Sequence, residues 1–137
     1  MRSHTLKVSD LMTTAVISVR PDEKVVAAHA DMELGAFRHL PVVDDRRRLV
    51  GIVSDRDLLR AIGRPKATTI GEIMTHNPRT IRADASAHLA AQIMLDHTIG
   101  AVPVVDDTGC MVGLVTMTDY LDVARRALLH LPLDGGD

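Results

Sequence analysis

Two short stretches of the chain carry the same arrangement of hydroxyl and carboxylate. Ser54-Asp55-Arg56-Asp57 follows Gly51-Ile52-Val53, and Thr116-Met117-Thr118-Asp119 follows Gly113-Leu114-Val115. In each, a β-branched run gives way to helical spacing at the hydroxyl residue, so Ser54 and Thr116 stand where a helix begins. An Asp three residues on fits two kinds of work. One is a capping box, in which the hydroxyl accepts from an N–H of the first turn and the carboxylate reaches back. The other is ligand binding, because a helix N-terminus presents unpaired N–H groups and partial positive charge to a phosphate, which Ser54 or Thr116 would bond further. Asp57 or Asp119, one turn in, is suited to accept both hydroxyls of a ribose, at about 1.5–3 kcal/mol per charge-assisted bond. Phosphate and ribose together mean a nucleotide.

The elements that must position these residues are themselves repeated. A shift of 62 positions lays one half of the chain on the other without a gap: Met12-Thr13 falls on Met74-Thr75, Asp22 on Asp84, Met32 on Met94, Pro41-Val42-Val43-Asp44-Asp45 on Pro103-Val104-Val105-Asp106-Asp107, Val50-Gly51 on Val112-Gly113, and Asp57 on Asp119. Residues 8–13 and 70–75 read as single helical turns, the first capped by Ser9, that lead into short strands at 17–19 and 79–81. Asp22 and Asp84 stand at the starts of amphipathic helices, with Val25, Ala28 and Met32 on the inner face of one, Leu89, Ile93 and Met94 on that of the other, and Gly35 or Gly100 near the end. LPVVD and VPVVD, an acidic turn, and LVGIVS and MVGLVT read as β-hairpins, followed by a last helix. Each unit is thus helix turn, strand, helix, strand, strand, helix.

The units span 5–62 and 70–125, joined by the Gly-Pro-Thr linker 63–69 and followed by a helix end and frayed tail at 126–137. About sixty residues bury too little surface alone, so the two units are expected to share one body. The core must be aliphatic, since Phe37 and Tyr120 are the whole aromatic content of 137 residues. That leaves almost no aromatic platform for stacking single-stranded bases. A formal charge of −2 gives no basic stripe for a nucleic acid backbone, and no run approaches a membrane helix or a signal segment. Cys110 stands alone, which fits a reducing cytosol and a soluble cytoplasmic protein. The seven histidines (4, 29, 39, 76, 88, 97 and 130) show no zinc spacing, and nothing places a base beside Cys110, so neither metal nor catalysis is expected.

The ordered pattern V-x-D-L-M-T, P-D, L-P-V-V-D and L-V-G-I-V-S-x-x-D, present in both copies at equal spacing, resembles the CBS domain, and residues 5–125 resemble a tandem CBS pair, or Bateman module. The resemblance implies an α/β (α+β) fold of two βαββα units related by a pseudo-two-fold axis. It further implies a cleft for adenosyl ligands such as AMP, ADP, ATP or S-adenosylmethionine, and a regulatory rather than enzymatic role.

Carried over by residue, the resemblance makes Asp57 and Asp119 the ribose acids and Ser54 and Thr116 the phosphate-side hydroxyls. The adenine surroundings map to His39-Leu40-Pro41 and Ala101-Val102-Pro103, with Ser18 of Ile17-Ser18-Val19 and with Thr80 and Ile81 of Arg79-Thr80-Ile81. Arg56 and Thr118, at matching positions inside the motif, make the sites differ in their preference for phosphate charge; Arg20, Arg38, Arg79 and Arg82 are further cations that serve equally as solvated surface charge. A homodimer through helical faces and a separately encoded effector are implied partners. The leucine stripe of the last helix (Leu121, Ala124, Leu128, Leu129) suits such a dimer or core packing within the chain. The competing reading is a ligand-free dimerisation or docking module.

Overall fold

A computed structural model of the chain describes residues 5–35, 38–66 and 68–130. The tail 131–137 and Phe37 lie outside the described residues. In chain order the elements are α1 (Val8–Leu11), α2 (Val25–Gly35), β1 (His39–Val43), β2 (Leu49–Ser54), α3 (Asp55–Arg60), α4 (Ile70–Ile73), β3 (Thr75–His76), β4 (Ile81–Arg82), α5 (Ala87–His97), β5 (Ala101–Val105), β6 (Met111–Thr116) and α6 (Met117–Leu128). They form a mixed α+β protein with two three-stranded sheets, ordered β1-β2-β3 and β4-β5-β6.

The hairpins form as their alternation and turns dictate. β1 and β2 pair antiparallel with His39 opposite Ser54 and Val42 opposite Gly51; β5 and β6 pair with Ala101 opposite Thr116 and Val104 opposite Gly113. The repeated Asp of the acidic turns is explained by hydrogen bonding. Asp44 Oδ1 accepts from the N–H groups of Arg46 and Arg48, and Asp106 Oδ1 from the hydroxyl and N–H of Thr108 and the N–H of Cys110. Those bonds hold both carboxyls below the usual carboxylate range. The strand at 79–81 is Ile81–Arg82, parallel to β5; its counterpart in the first repeat is a single bridge from Val19 to Val42.

Each lead-in turn packs on the opposite repeat. Val8 and Ser9 donate N–H bonds of 2.9 Å to Ala85 and Ala83, while Ile70 and Gly71 donate at 2.8 Å to Glu23 and Pro21. Strand β3, which follows α4, adds to β2 of the first hairpin, and Thr13 makes the matching bridge to Leu114 of β6. The two cores are therefore crossed. One contains Val19, Val25, Ala28, Met32, Leu40, Val42, Val53 and Leu58 together with Ile70, and the other contains Ile81, Ala90, Met94, Val102, Val104 and Val115 together with Val8. The linker divides the sequence, not the cores.

The crossing accounts for a pair of repeat matches that spacing leaves unexplained. A β-carbon at Gly51 would lie 2.9 Å from the Thr75 carbonyl, and one at Gly113 would lie 3.0 Å from that of Thr13, with the Met74 and Met12 side chains also pressed against these positions. Each Met-Thr pair closes over the glycine of the other repeat. Arg48 and Cys110, which are repeat equivalents, bridge to one another antiparallel, so the pseudo-two-fold axis passes between them.

Several local expectations are corrected. Lys7, not Ser9, is the N-cap of α1; Asp10 reaches back to the Lys7 N–H at 2.8 Å, as Glu72 does to Thr69 at 3.2 Å. The long helices begin three residues after Asp22 and Asp84, at Val25 and Ala87. α5 ends at His97 with Thr98 as its left-handed cap, ahead of Gly100, and its inner face is Ala87, Ala90 and Met94, with Leu89 exposed. Core packing does not explain the leucine stripe of the last helix: Tyr120 packs against the second core, but no residue of α6 is fully buried, and Leu121 is 70% and Leu128 65% exposed.

Candidate functional site

Both hydroxyl and Asp pairs fold as capping boxes. Asp57 Oδ2 accepts from the Ser54 N–H at 2.8 Å while Ser54 Oγ accepts from the Asp57 N–H at 3.2 Å. In the second repeat Asp119 Oδ2 accepts from the Thr116 N–H at 2.8 Å and from its hydroxyl at 3.2 Å, and Thr116 Oγ1 accepts from the Asp119 N–H at 3.3 Å. These bonds draw on one carboxylate oxygen of each Asp. Among the described residues Oδ1 of Asp57 and Oδ1 of Asp119 accept no hydrogen bond. Both residues are half-buried at a strand-to-helix corner, so each corner holds a partly accessible carboxylate with one oxygen uncommitted among the described residues. Capping and ligand binding draw on different atoms and are compatible.

The hairpin ladders bring His39 across from Ser54 and Ala101 across from Thr116. His39 is half-buried beside the first corner and faces the second repeat: a β-carbon at Gly100 would lie 3.3 Å from His39 Cε1 and 3.7 Å from Met117 Sδ. Burial pushes the His39 pKa below its ordinary value, against the opposing pull of Asp55 and Asp57 and with a smaller push from Arg38. Leu40, Pro41, Val102 and Pro103 are fully buried, so in this structure they belong to the core behind the corners rather than to an open ligand surface. Ala101 and Ile81 are buried as well.

Ser18 precedes Val19, whose N–H bonds the Pro41 carbonyl at 3.0 Å, and Thr80 precedes Ile81 at the equivalent place beside β5. No hydrogen bond joins Ser18 or Thr80 to either capping box among the described residues. Arg56 and Thr118 are exposed on the first turns of α3 and α6. Arg20 and Arg82 are engaged with Asp45 and Asp107, which leaves them as surface ion pairs.

Sequence reasoning passed over a group one turn further on. A cavity of about 210 Å³ opens beside Asp57, lined also by Arg60, Ala61, Arg64, Glu72 and Ile73. The crossed packing of α4 creates it, and only the contrast of Arg60 with Asp122 at the equivalent position could have drawn notice to it. Tyr120 was not singled out either; its hydroxyl donates to the Ala87 carbonyl at 2.6 Å and pins α6 to the start of α5.

The family model for the CBS domain matches residues 8–64 and again 70–126. The chain belongs to the CBS domain family. A CBS domain-containing protein of Dictyostelium discoideum is 30% identical over 91% of this chain and 95% of its own length. The homoserine O-acetyltransferase of Methanohalophilus mahii is 36% identical, but the chain spans only 23% of that enzyme. Among solved structures, the CBS domain pair of protein MJ0100 in complex with 5′-methylthioadenosine and S-adenosyl-L-methionine superposes with a TM-score of 0.85, at 31% identity over 90% of this chain and 99% of that one. CBSX2 in complex with AMP superposes with a TM-score of 0.80, at 30% identity over 89% of this chain and 98% of that one. Among the described residues no helix is long and apolar enough to cross a membrane.

Proposed function

We propose that this CBS pair is a sensing module that binds an adenosine-containing ligand at one or both strand-to-helix corners and passes its occupancy to a separate effector protein. The observation that carries this reading is Oδ1 of Asp57 and of Asp119, each on a carboxylate held by a capping box that leaves that oxygen without a hydrogen-bond partner among the described residues. Each of these carboxylates, at positions matched across the repeat, suits the paired hydroxyls of one ribose. The adenosyl ligands in the complexes of MJ0100 and CBSX2 support the same class of ligand. A catalytic role has no support from the enzyme relative, of which the chain spans under a quarter.

Signalling follows from differential affinity. A ligand that bridges the two repeats stabilises one arrangement of them over another by no more than the difference in its binding free energy to the two. His39, set between the first corner and Gly100, is the side chain placed to register that difference. Calorimetric titration with AMP, ADP, ATP, NAD and S-adenosylmethionine tests the reading. Binding of at least one at micromolar concentration is expected, and no heat from any of them would remove it.

Docking is favoured as a second function of the same module by the apolar faces of α3 and α6. Leu59 and Leu121 are repeat equivalents and are 60% and 70% exposed; Ile62, Leu128 and Leu129 extend the two faces. These faces fit a homodimer in which α3 and α6 of one copy meet those of another.

A further inference from the structure

The two hairpin turns are joined at their tips, and there they differ in charge. The Leu49 N–H bonds the Gly109 carbonyl at 3.0 Å, the Met111 N–H bonds the Arg47 carbonyl at 3.1 Å, and the Cys110 thiol donates to the Arg46 carbonyl at 3.3 Å. The first turn carries Arg46-Arg47-Arg48 where the second carries Thr108-Gly109-Cys110. All three arginines are exposed, and among the described residues none of their guanidiniums has a hydrogen bond or ion pair. The carboxylates of the turns are already engaged: Asp44 and Asp106 accept from N–H groups of their own turns, Asp45 is paired with Arg20, and Asp107 with Arg82.

Arg47 also occupies a backbone conformation that suits glycine. Its φ is 63°, in the left-handed region, while its counterpart Gly109 has φ 83°. The second turn avoids by composition a strain that the first retains. Folding favours glycine at both positions and gives no reason for the arginine.

We infer that Arg46, Arg47 and Arg48 dock a short acidic segment of the effector protein. This rests on the reading of the module as a sensor with a separate effector, and adds where that effector is held and by what chemistry. Guanidinium forks take carboxylates two oxygens at a time. The position suits transmission. The turn lies four residues along β1 from the corner of His39 and Ser54, roughly 13 Å at about 3.3 Å per residue, so a docked segment leaves that corner open. Because the tips are bonded to each other, one partner here touches both repeats, and a change in their relative setting alters what it meets. A nucleic acid backbone or a bilayer fits less well. Asp44, Asp45, Asp106 and Asp107 interrupt the positive charge that a long polyanion requires, and neither tip carries a large apolar side chain to enter lipid.

The test is fluorescence anisotropy of a labelled hexaglutamate peptide with the full chain at low salt. The parent is expected to bind it, with affinity falling as salt rises, and Arg46→Gln/Arg47→Gln/Arg48→Gln to bind on the order of tenfold more weakly. An Arg125→Gln/Arg126→Gln control, whose arginines are paired with Asp122, is expected to keep the parental affinity. Arg47→Gly should bind more weakly than the parent while unfolding at a higher urea midpoint. Equal binding by parent and triple variant would overturn the inference, as would undiminished binding by Arg47→Gly. So would tighter binding, through the same arginines, of single-stranded DNA or of vesicles containing phosphatidylserine. Nucleotide calorimetry on the parent separates this inference from the sensor reading. Adenosyl binding without peptide binding would overturn the docking alone, and the absence of both would overturn both.

Discussion

Ser54 and Asp57 exchange reciprocal hydrogen bonds, N–H to Oδ2 at 2.8 Å and N–H to Oγ at 3.2 Å, and this exchange turns a helix cap into a rigid mount for a second carboxylate oxygen. The same relation holds for Thr116 and Asp119. Structure and proposed ligand binding thus rest on one motif, and the two roles can be separated by measurement.

Ser54→Ala and Asp57→Ala should each lower stability by roughly 0.5–2 kcal/mol, the usual cost of a lost N-cap. The double variant should cost less than the sum, since both changes remove one reciprocal pair. Urea midpoints of the four proteins check this.

Gly51→Ala and Gly113→Ala should each destabilise by about 1–3 kcal/mol, as overpacking does in a closed site. The new methyl groups would meet the Thr75 and Thr13 carbonyls at 2.9 and 3.0 Å. Comparison with Gly63→Ala, where a β-carbon meets nothing within 4 Å, isolates the effect in thermal melts.

The crossed cores predict which fragment folds. Residues 14–76 contain the whole first core, including Ile70, whereas residues 5–62 lack Ile70, Ile73 and Met74. The first fragment should show the more cooperative thermal unfolding by circular dichroism, though both sit near the size at which single cores become marginal. Equal cooperativity would contradict the crossing.

His39 predicts a pH dependence. Its pKa is lowered in the folded chain, chiefly by burial, so below the ordinary value near 6.5 the unfolded state takes up the proton first. The stability contributed by neutral His39 is present above pH 6.5 and is lost as pH falls through the window beneath it. Acidification from pH 7.5 to 5.5 should lower the melting temperature of the parent more than that of His39→Gln.

Leu121→Asp should shift the sedimentation of the protein toward the monomer, and Leu59→Asp should do the same if both helical faces meet the second copy. An unchanged sedimentation coefficient in both would remove the proposed dimer.

Much of the fold was legible because the pattern was written twice. Val25, Ala28 and Met32 lie on the buried face that their spacing implies, and the hairpins fall where β-branched runs flank acidic turns. Leu89 was misread because α5 turns the smaller Ala87 and Ala90 inward with Met94 and leaves Leu89 exposed. The crossing of the lead-in turns was not legible, since a repeat states that Met12 and Met74 are equivalent without stating which hairpin each one covers. For the same reason the cavity at Arg60 and Arg64 was hidden: Glu72 and Ile73 belong to the second copy by sequence and to the first by contact. Asp57 and Asp119, the residues proposed to hold a ribose, by contrast stood out from their spacing after a hydroxyl residue in both copies.

The central claim is tested most directly by calorimetric titration of the tightest-binding member of the adenosyl panel into the parent, Asp57→Ala, Asp119→Ala and the double variant, each first shown to be folded. The account predicts saturable binding by the parent, abolished in the double variant, with any two-site stoichiometry reduced to one in the single variants. Binding of undiminished affinity and stoichiometry in the double variant would contradict it.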